Sequence, residues 1–180
     1  MTCIVRIILL FAFLLSCSDS LSSQEKSVNF NPDVVHGSLL ETNNKRRVFL
    51  LVSRSLVVDS RGFAKSIIAE AYKTDSKSPV RHLLAYNTIA KKLNSYMKKH
   101  RSITAVDNIA EADFIIFFNL LEYRRLNGYP YPYGELFVII NDTSGARQPR
   151  IIWKQHKKLL WAEDAIKSLI KELRIARGEK

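Results

Sequence analysis

Eight consecutive residues, Phe114-Ile115-Ile116-Phe117-Phe118-Asn119-Leu120-Leu121, contain a single polar side chain. Glu111-Ala112-Asp113 leads into the run. Its length and flanking charges suit a central β-strand covered on both faces better than a helix. Such a strand needs partner strands and a packed layer, so the rest of the chain must supply them.

Val48-Phe49-Leu50-Leu51-Val52, behind the basic Lys45-Arg46-Arg47, reads as a buried first strand. Asp59 or Ser60 caps a short helix through about Tyr72, with Phe63, Ile67, Ile68 and Tyr72 on one face. Ser78-Pro79 opens the next helix, with proline in the first turn where its missing N–H costs nothing. Leu83, Leu84, Tyr86, Ile89, Ala90, Leu93, Tyr96 and Met97 follow at helical spacing, while Lys91, Lys92, Asn94, Lys98 and Lys99 take the other face. Lys98-Lys99-His100-Arg101 complements the helix dipole at its carboxyl end. After the central strand, Asn127-Gly128, Pro130, Pro132 and Gly134 mark a loop. Glu135 to Ile140 is another strand, Asp142-Thr143-Ser144-Gly145 a turn, and Arg150 to about Lys157 a further strand. In that last strand alternation places Ile151 and Trp153 on one face, Ile152 and Lys154 on the other. The final helix runs from about Trp161 to Arg177 on a stripe of Ala162, Ile166, Leu169, Ile170 and Leu173.

The order β-α-α-β-β-β-α points to an α+β (α/β-like) fold. The expectation is a single mixed sheet of about four strands with helices packed mainly on one face. The first strand reaches the central one in parallel through a right-handed crossover, and the last three strands form an antiparallel meander. No repeat and no second domain is visible.

The amino terminus sets the compartment. One positive charge, Arg6, precedes the apolar run Ile7 to Leu15, and Leu14-Leu15-Ser16-Cys17 closes it. The run is short of the roughly 20 residues that a bilayer span needs. A charged start, a short apolar stretch and a small residue before the cut form a signal-peptide pattern, here residues 1–16. Leu14 and Ser16 fit a bacterial lipobox, in which the Cys17 thiolate would take the lipid. Cleavage after Ser18 by an ordinary signal peptidase is the competing reading, since Ser16 and Ser18 are both small. Of the two cysteines, Cys3 would leave with the leader, so the mature chain would hold Cys17 alone and form no internal disulfide. A single leftover cysteine in an exported protein calls for a reason, and lipid attachment is one. Residues 17–44 are polar with little periodicity and read as a flexible, lipidated tether ahead of one domain, 45–180. Ser18 directly after the cysteine slightly favours the outer membrane.

In their order of elements, residues 46 to 177 resemble small bacterial periplasmic α/β lipoproteins: the TolB amino-terminal domain, the CsgG-like domains of curli secretion, and lipoprotein families of unknown function. Three phrases carry the likeness: Glu-Ala-Asp-Phe-Ile-Ile (111–116), Asp-Thr-Ser-Gly (142–145) and Ile-Ile-Trp (151–153). The chain departs from them at Arg101-Ser102-Ile103, where such families often have a Gly-aromatic step, and in its extra helical segment. The resemblance implies the fold and an envelope role. It transfers no catalytic residue.

Composition is strongly basic, with 28 Lys+Arg against 17 Asp+Glu and a net charge of +11. In a cytosolic protein this would point to nucleic acid. For an exported, tethered protein the nearer anions are lipid headgroups, lipopolysaccharide or wall polymers, and no nucleic-acid partner is expected. Catalytic equipment is not legible: there is no Gly-x-Ser-x-Gly, no phosphate loop and no His-Glu-x-x-His. His36, His82, His100 and His156 are scattered, and Asp59, Asp107, Asp113 and Asp142 sit at element boundaries where capping explains them. No metal or cofactor is expected. Asn141-Asp142-Thr143 matches an N-glycosylation pattern, but a turn accounts for it.

One segment stands apart. Between Glu122 and Tyr133 lie Tyr123, Arg124, Arg125, Tyr129, Tyr131 and Tyr133, with Pro130 and Pro132 among them. Tyr and Arg are enriched at binding hot spots, and prolines lower the ordering cost of a bound loop. The competing reading is a long hairpin whose tyrosines pack on their own sheet and whose arginines are solvated. The expectation is therefore a membrane-anchored periplasmic lipoprotein with a non-catalytic binding or envelope-assembly role, its partner an envelope protein or anionic polymer. The alternative is a freely secreted or periplasmic enzyme acting on an anionic polymer.

Overall fold

A computed structural model of the chain describes residues 35–54, 83–140, 149–157 and 159–180. The order is β1 (Arg47–Arg54), α1 (Leu83–His100), β2 (Thr104–Ala105), β3 (Phe114–Leu126), β4 (Tyr129–Ile140), β5 (Arg150–Lys154), β6 (Leu160–Trp161) and α2 (Ala162–Ala176), with 3-10 turns at Leu39–Thr42 and Ile109–Glu111. The sheet runs β2-β1-β3-β4-β5, and β6 pairs with β4. β1 lies parallel to β3, from Val48 opposite Phe114 to Arg54 opposite Leu120. β3, β4 and β5 are antiparallel neighbours. The fold is mixed α+β, with one sheet of six strands and two α-helices among the described residues.

The sheet has six strands where about four were expected from the alternation of elements. The two additions, β2 and β6, are each two residues long and carry no periodicity to read. The loop expected from Asn127 to Gly134 is a two-residue turn followed by the first half of β4. Asn127 and Gly128 have φ of 51° and 82°, the left-handed pair that a type I′ hairpin turn requires. Leu126 and Tyr129 flank the turn and exchange hydrogen bonds, so the next pair, Arg125 and Pro130, directs its backbone outward. Pro132, opposite Tyr123, repeats that position. Neither proline removes a bond between β3 and β4, and two prolines are therefore compatible with a strand.

β5 also differs from its expectation. The pairing steps from Ile139 opposite Ile151 to Val138 opposite Trp153, which leaves Ile152 as a bulge. A bulge breaks the alternation of side chains. Ile152 and Trp153 consequently both pack on the helix side, and Ile151 and Lys154 face the other, where Lys154 Nζ lies 5.3 Å from the centroid of the Phe137 ring. The strand ends at Lys154 because Gln155 continues it with a side chain. Its Oε1 accepts from the Leu136 N–H at 3.0 Å and its Nε2 donates to the Gly134 carbonyl at 2.8 Å. The expected helix from Asp59 to Tyr72, the Ser78-Pro79 start, the Asn141 to Gly145 turn and the leader with Cys17 lie outside the described residues.

α1 and α2 cover one face of the sheet. Ile89, Leu93, Ile166 and Leu169 are buried with Phe114, Ile116 and Phe118. On the other face Phe49, Leu51, Ile115, Phe117, Phe137 and Ile139 are buried together with Ile109 and Ala112. Phe114 through Leu120 is thus buried on both sides, as the continuous apolar run requires.

The carboxyl-terminal turn closes one end. Arg177, 6% exposed in its side chain, donates to the carbonyls of Thr42, Lys45 and Ser102, and its Nε reaches Glu179 at 3.2 Å. Glu179 also accepts from the Tyr96 hydroxyl at 2.7 Å. Burial pushes that hydroxyl up to about 12. The chain enters at this same end. The His36 N–H donates to the Ile151 carbonyl at 2.7 Å, and Leu39 and Thr42 are buried. The packed chain therefore begins ahead of Lys45.

Candidate functional site

β1 stops opposite Leu120, whereas β3 and β4 run on together as far as Leu126 and Tyr129. This extension is the segment rich in tyrosine and arginine. The change from core to arm occurs at Asn119 and Glu135, which face each other in register and are both buried. Glu135, 3% exposed in its side chain, lies 3.8 Å from Lys154 Nζ. Gly134 follows at a point of close approach. A Cβ there would stand 2.1 Å from the Asn119 carbonyl oxygen. Leu121 then bulges, and the register resumes at Glu122 opposite Tyr133.

That register sorts the six singled-out residues between two faces. Arg124 and Tyr131 are opposite each other, and Tyr133 and Tyr129 share their face. Tyr123 and Arg125 lie on the reverse face, opposite Pro132 and Pro130. The larger group is partly preorganised. The Arg124 guanidinium sits 4.8 Å from the centroid of the Tyr133 ring, and Glu122 pairs with its Nε. Tyr131 meets Trp161 edge to face at 5.2 Å. Tyr129 is 71% exposed and Leu126, beside it at the tip, 60%. Tyr123, Arg124 and Arg125 are exposed as well.

Reading the segment as a loop missed three participants: Trp161, Glu122 and Leu126. The signal was present in Asn127-Gly128. Counting outward from that dipeptide as a two-residue turn yields every cross-strand pair of the arm. Trp161 comes from β6 and could not be placed this way.

Chemically the arm offers aromatic faces, two guanidinium groups and one carboxylate. It contains no histidine or cysteine. Among the described residues no three His, Cys, Asp or Glu side chains converge to hold a metal ion. His100, near Glu179 at 3.6 Å, belongs to the closed end of the molecule. Cys17 and His82 are outside the described residues.

No protein-family model matches the chain, and no curated protein matches it. Among solved structures, the PelC dodecamer from Paraburkholderia phytofirmans is similar at 13% identity and a TM-score of 0.28, over 84% of this chain and 94% of that one. The hypothetical protein CT253 from Chlamydia trachomatis is similar at 13% identity and a TM-score of 0.27, over 73% of this chain and 96% of that one. Likeness this low assigns no role.

Proposed function

We propose that this chain is a periplasmic lipoprotein, anchored to the membrane through Cys17, with a binding or envelope-assembly role rather than a catalytic one. Its β3–β4 arm is the partner-binding element, and the partner is an envelope protein or an anionic polymer. The observation that supports this reading is the contrast along β3 and β4. Phe114–Leu120 of β3 and Gly134–Ile140 of β4 are buried, and the same two strands then carry exposed tyrosines and arginines beyond this core. Tyrosine brings large contact area at low entropic cost, and arginine pairs with carboxylate or phosphate.

A photoreactive residue at Tyr129 tests the arm, with the same residue at exposed Asn94 on α1 as the reference. The reading expects a discrete adduct in cells from position 129 and none from position 94. Equal labelling at the two positions would refute it. Intact-mass measurement of the chain recovered from membranes tests the anchor, for which an unmodified Cys17 is the contrary result.

A further inference from the structure

A second surface lies at the opposite end from the arm. β1 and β3 begin there, and β4 ends there with Ile140 opposite Phe114. α1 finishes there in Lys98-Lys99-His100, followed by Arg101. Arg177 ties these pieces together, because one guanidinium reaches the carbonyls of both Lys45 and Ser102. The Arg46 carbonyl in turn accepts from the Thr104 N–H at 2.7 Å. Lys45, Arg46 and Arg101 are thereby held side by side, one helical turn from Lys98 and Lys99.

Three arginines of this end are consumed internally: Arg47 by Asp113, Arg150 by Glu41 and Arg177 by Glu179. The side chains of Arg46, Lys98, Lys99 and Arg101 make no ion pair among the described residues, while Lys45 is near enough to Glu41 to help hold its carboxyl down. All but the half-exposed Lys45 are exposed. Among the described residues, Asp107 and Glu111 are further acidic side chains of this end. From Leu83 to Val106 there is no Asp or Glu at all. Charges that serve solubility alone are mixed in sign. The flank of α2 shows that pattern, where Glu163 is paired with both Lys92 and Lys167. At the end near Lys45 four cations, Arg46, Lys98, Lys99 and Arg101, are left without such a pair among the described residues and repel one another.

We propose that this end is a docking surface for the anionic headgroups of a phospholipid bilayer. The inference rests on the lipid-anchor reading above. The first described residues lie at this end, with His36 beside Arg150 and Ile151. Cys17 stands 18 residues ahead of Val35, the first described residue. A lipid on Cys17 would hold this end close to the membrane. β3, at about 3.3 Å per residue, would carry the arm tip about 40 Å away from it. The nearest extended anion to such a surface is the headgroup layer itself.

The test uses the full chain with Cys17→Ser, so that no acyl chain contributes, and vesicles of phosphatidylcholine with and without phosphatidylglycerol. The readout is the difference in binding between the two vesicle types, to which the apolar leader contributes equally in every variant. Three neutralised cations should weaken the phosphatidylglycerol-dependent binding on the order of 100-fold. Arg46→Gln with Lys98→Gln and Lys99→Gln is expected to show that loss, with an unchanged circular dichroism spectrum. Arg124→Gln with Arg125→Gln, which removes charge from the arm instead, is expected to bind as the parent does. Parental binding by the triple variant overturns the proposal, as does an equal loss in the arm variant. Tighter binding to duplex DNA than to phosphatidylglycerol vesicles also overturns it, and makes this end a nucleic-acid surface. The anchor is read separately from the mass of Cys17. A modified Cys17 with no phosphatidylglycerol dependence removes the surface alone, and an unmodified Cys17 with that dependence intact removes the anchor alone.

Discussion

Gln155 replaces a strand with one carboxamide. It satisfies the Leu136 N–H and the Gly134 carbonyl where β5 has ended, and it is 4% exposed. Gln155→Leu keeps the volume but leaves the Leu136 N–H buried and unpaired and takes one bond each from the Gly134 and Lys157 carbonyls. The expected loss is about 2–4 kcal/mol in urea denaturation. An unchanged midpoint would mean that β4 finds other partners. Gly134 is constrained by contact rather than by φ. A methyl group 2.1 Å from the Asn119 carbonyl must push a backbone atom, and Gly134→Ala is expected to cost about 1–3 kcal/mol. Asp113 gives the fold an acid-sensitive joint. Burial works to raise its carboxyl, but the Arg47 side chain and the N–H groups of Arg47 and Arg46 outweigh it and hold the carboxyl below its ordinary value of 3.8. A depressed folded value contributes stability that is fully present above 3.8 and is lost as pH falls through the folded value. Asp113→Asn should therefore lower the melting temperature at neutral pH, and the gap to the parent should close as pH falls from 3.8 through the depressed folded value. A constant gap across the whole range would exclude Asp113 as the cause. Some acid sensitivity will remain in the variant, since Glu41, Glu163 and Glu179 are shifted the same way.

At the level of elements, the arm depends on its turn. Asn127 and Gly128 both adopt positive φ, which costs an ordinary residue about 1–2 kcal/mol. Gly128→Val should strain the turn, splay Tyr129 from Leu126, and cut crosslinking from position 129 while leaving the core's thermal transition nearly in place. A large fall in melting temperature would show instead that the arm is part of the folding unit. The same turn shows where sequence reading works. Long apolar or amphipathic runs were legible: Val48 to Val52, Phe114 to Leu121, the lysine-faced α1 and the stripe of α2 were each recovered from periodicity. Two kinds of feature were not. β2 and β6 are two-residue strands that exist only because a neighbour's edge was free, a tertiary fact. The bulges at Leu121 and Ile152 shift register by one residue, and nothing in either residue's chemistry announces it. The prolines misled for a related reason. They read as loop residues until the turn length fixes which way their missing N–H would have pointed.

Across the whole molecule, as far as its described residues go, the cations near Lys45 and the aromatic arm lie at opposite ends of β3 and β4, and the packing along these strands implies a gradient of stability. From Phe114 to Leu120 the strand is closed by neighbours on both edges and by side chains on both faces. Beyond Leu121 the arm keeps its own ladder, and among the described residues β6 holds it by pairing at Tyr133 and Gly134 and by the Tyr131–Trp161 ring contact. A two-stranded ribbon has little stability of its own in water. Amide hydrogen exchange on the isolated chain should therefore show Phe114–Leu120 and Leu136–Ile140 opening only with global unfolding, while Glu122–Pro132 exchanges by local opening at far lower protection. Protection should be regained in the arm, and nowhere in the central strands, when the crosslinked partner is present. Phosphatidylglycerol vesicles should instead protect Lys98–Arg101 and leave the arm unchanged. Arm amides as slow as those of Phe114–Leu120 in the isolated chain would mean that another part of the chain already covers them, and an arm so covered has no free face to offer a partner.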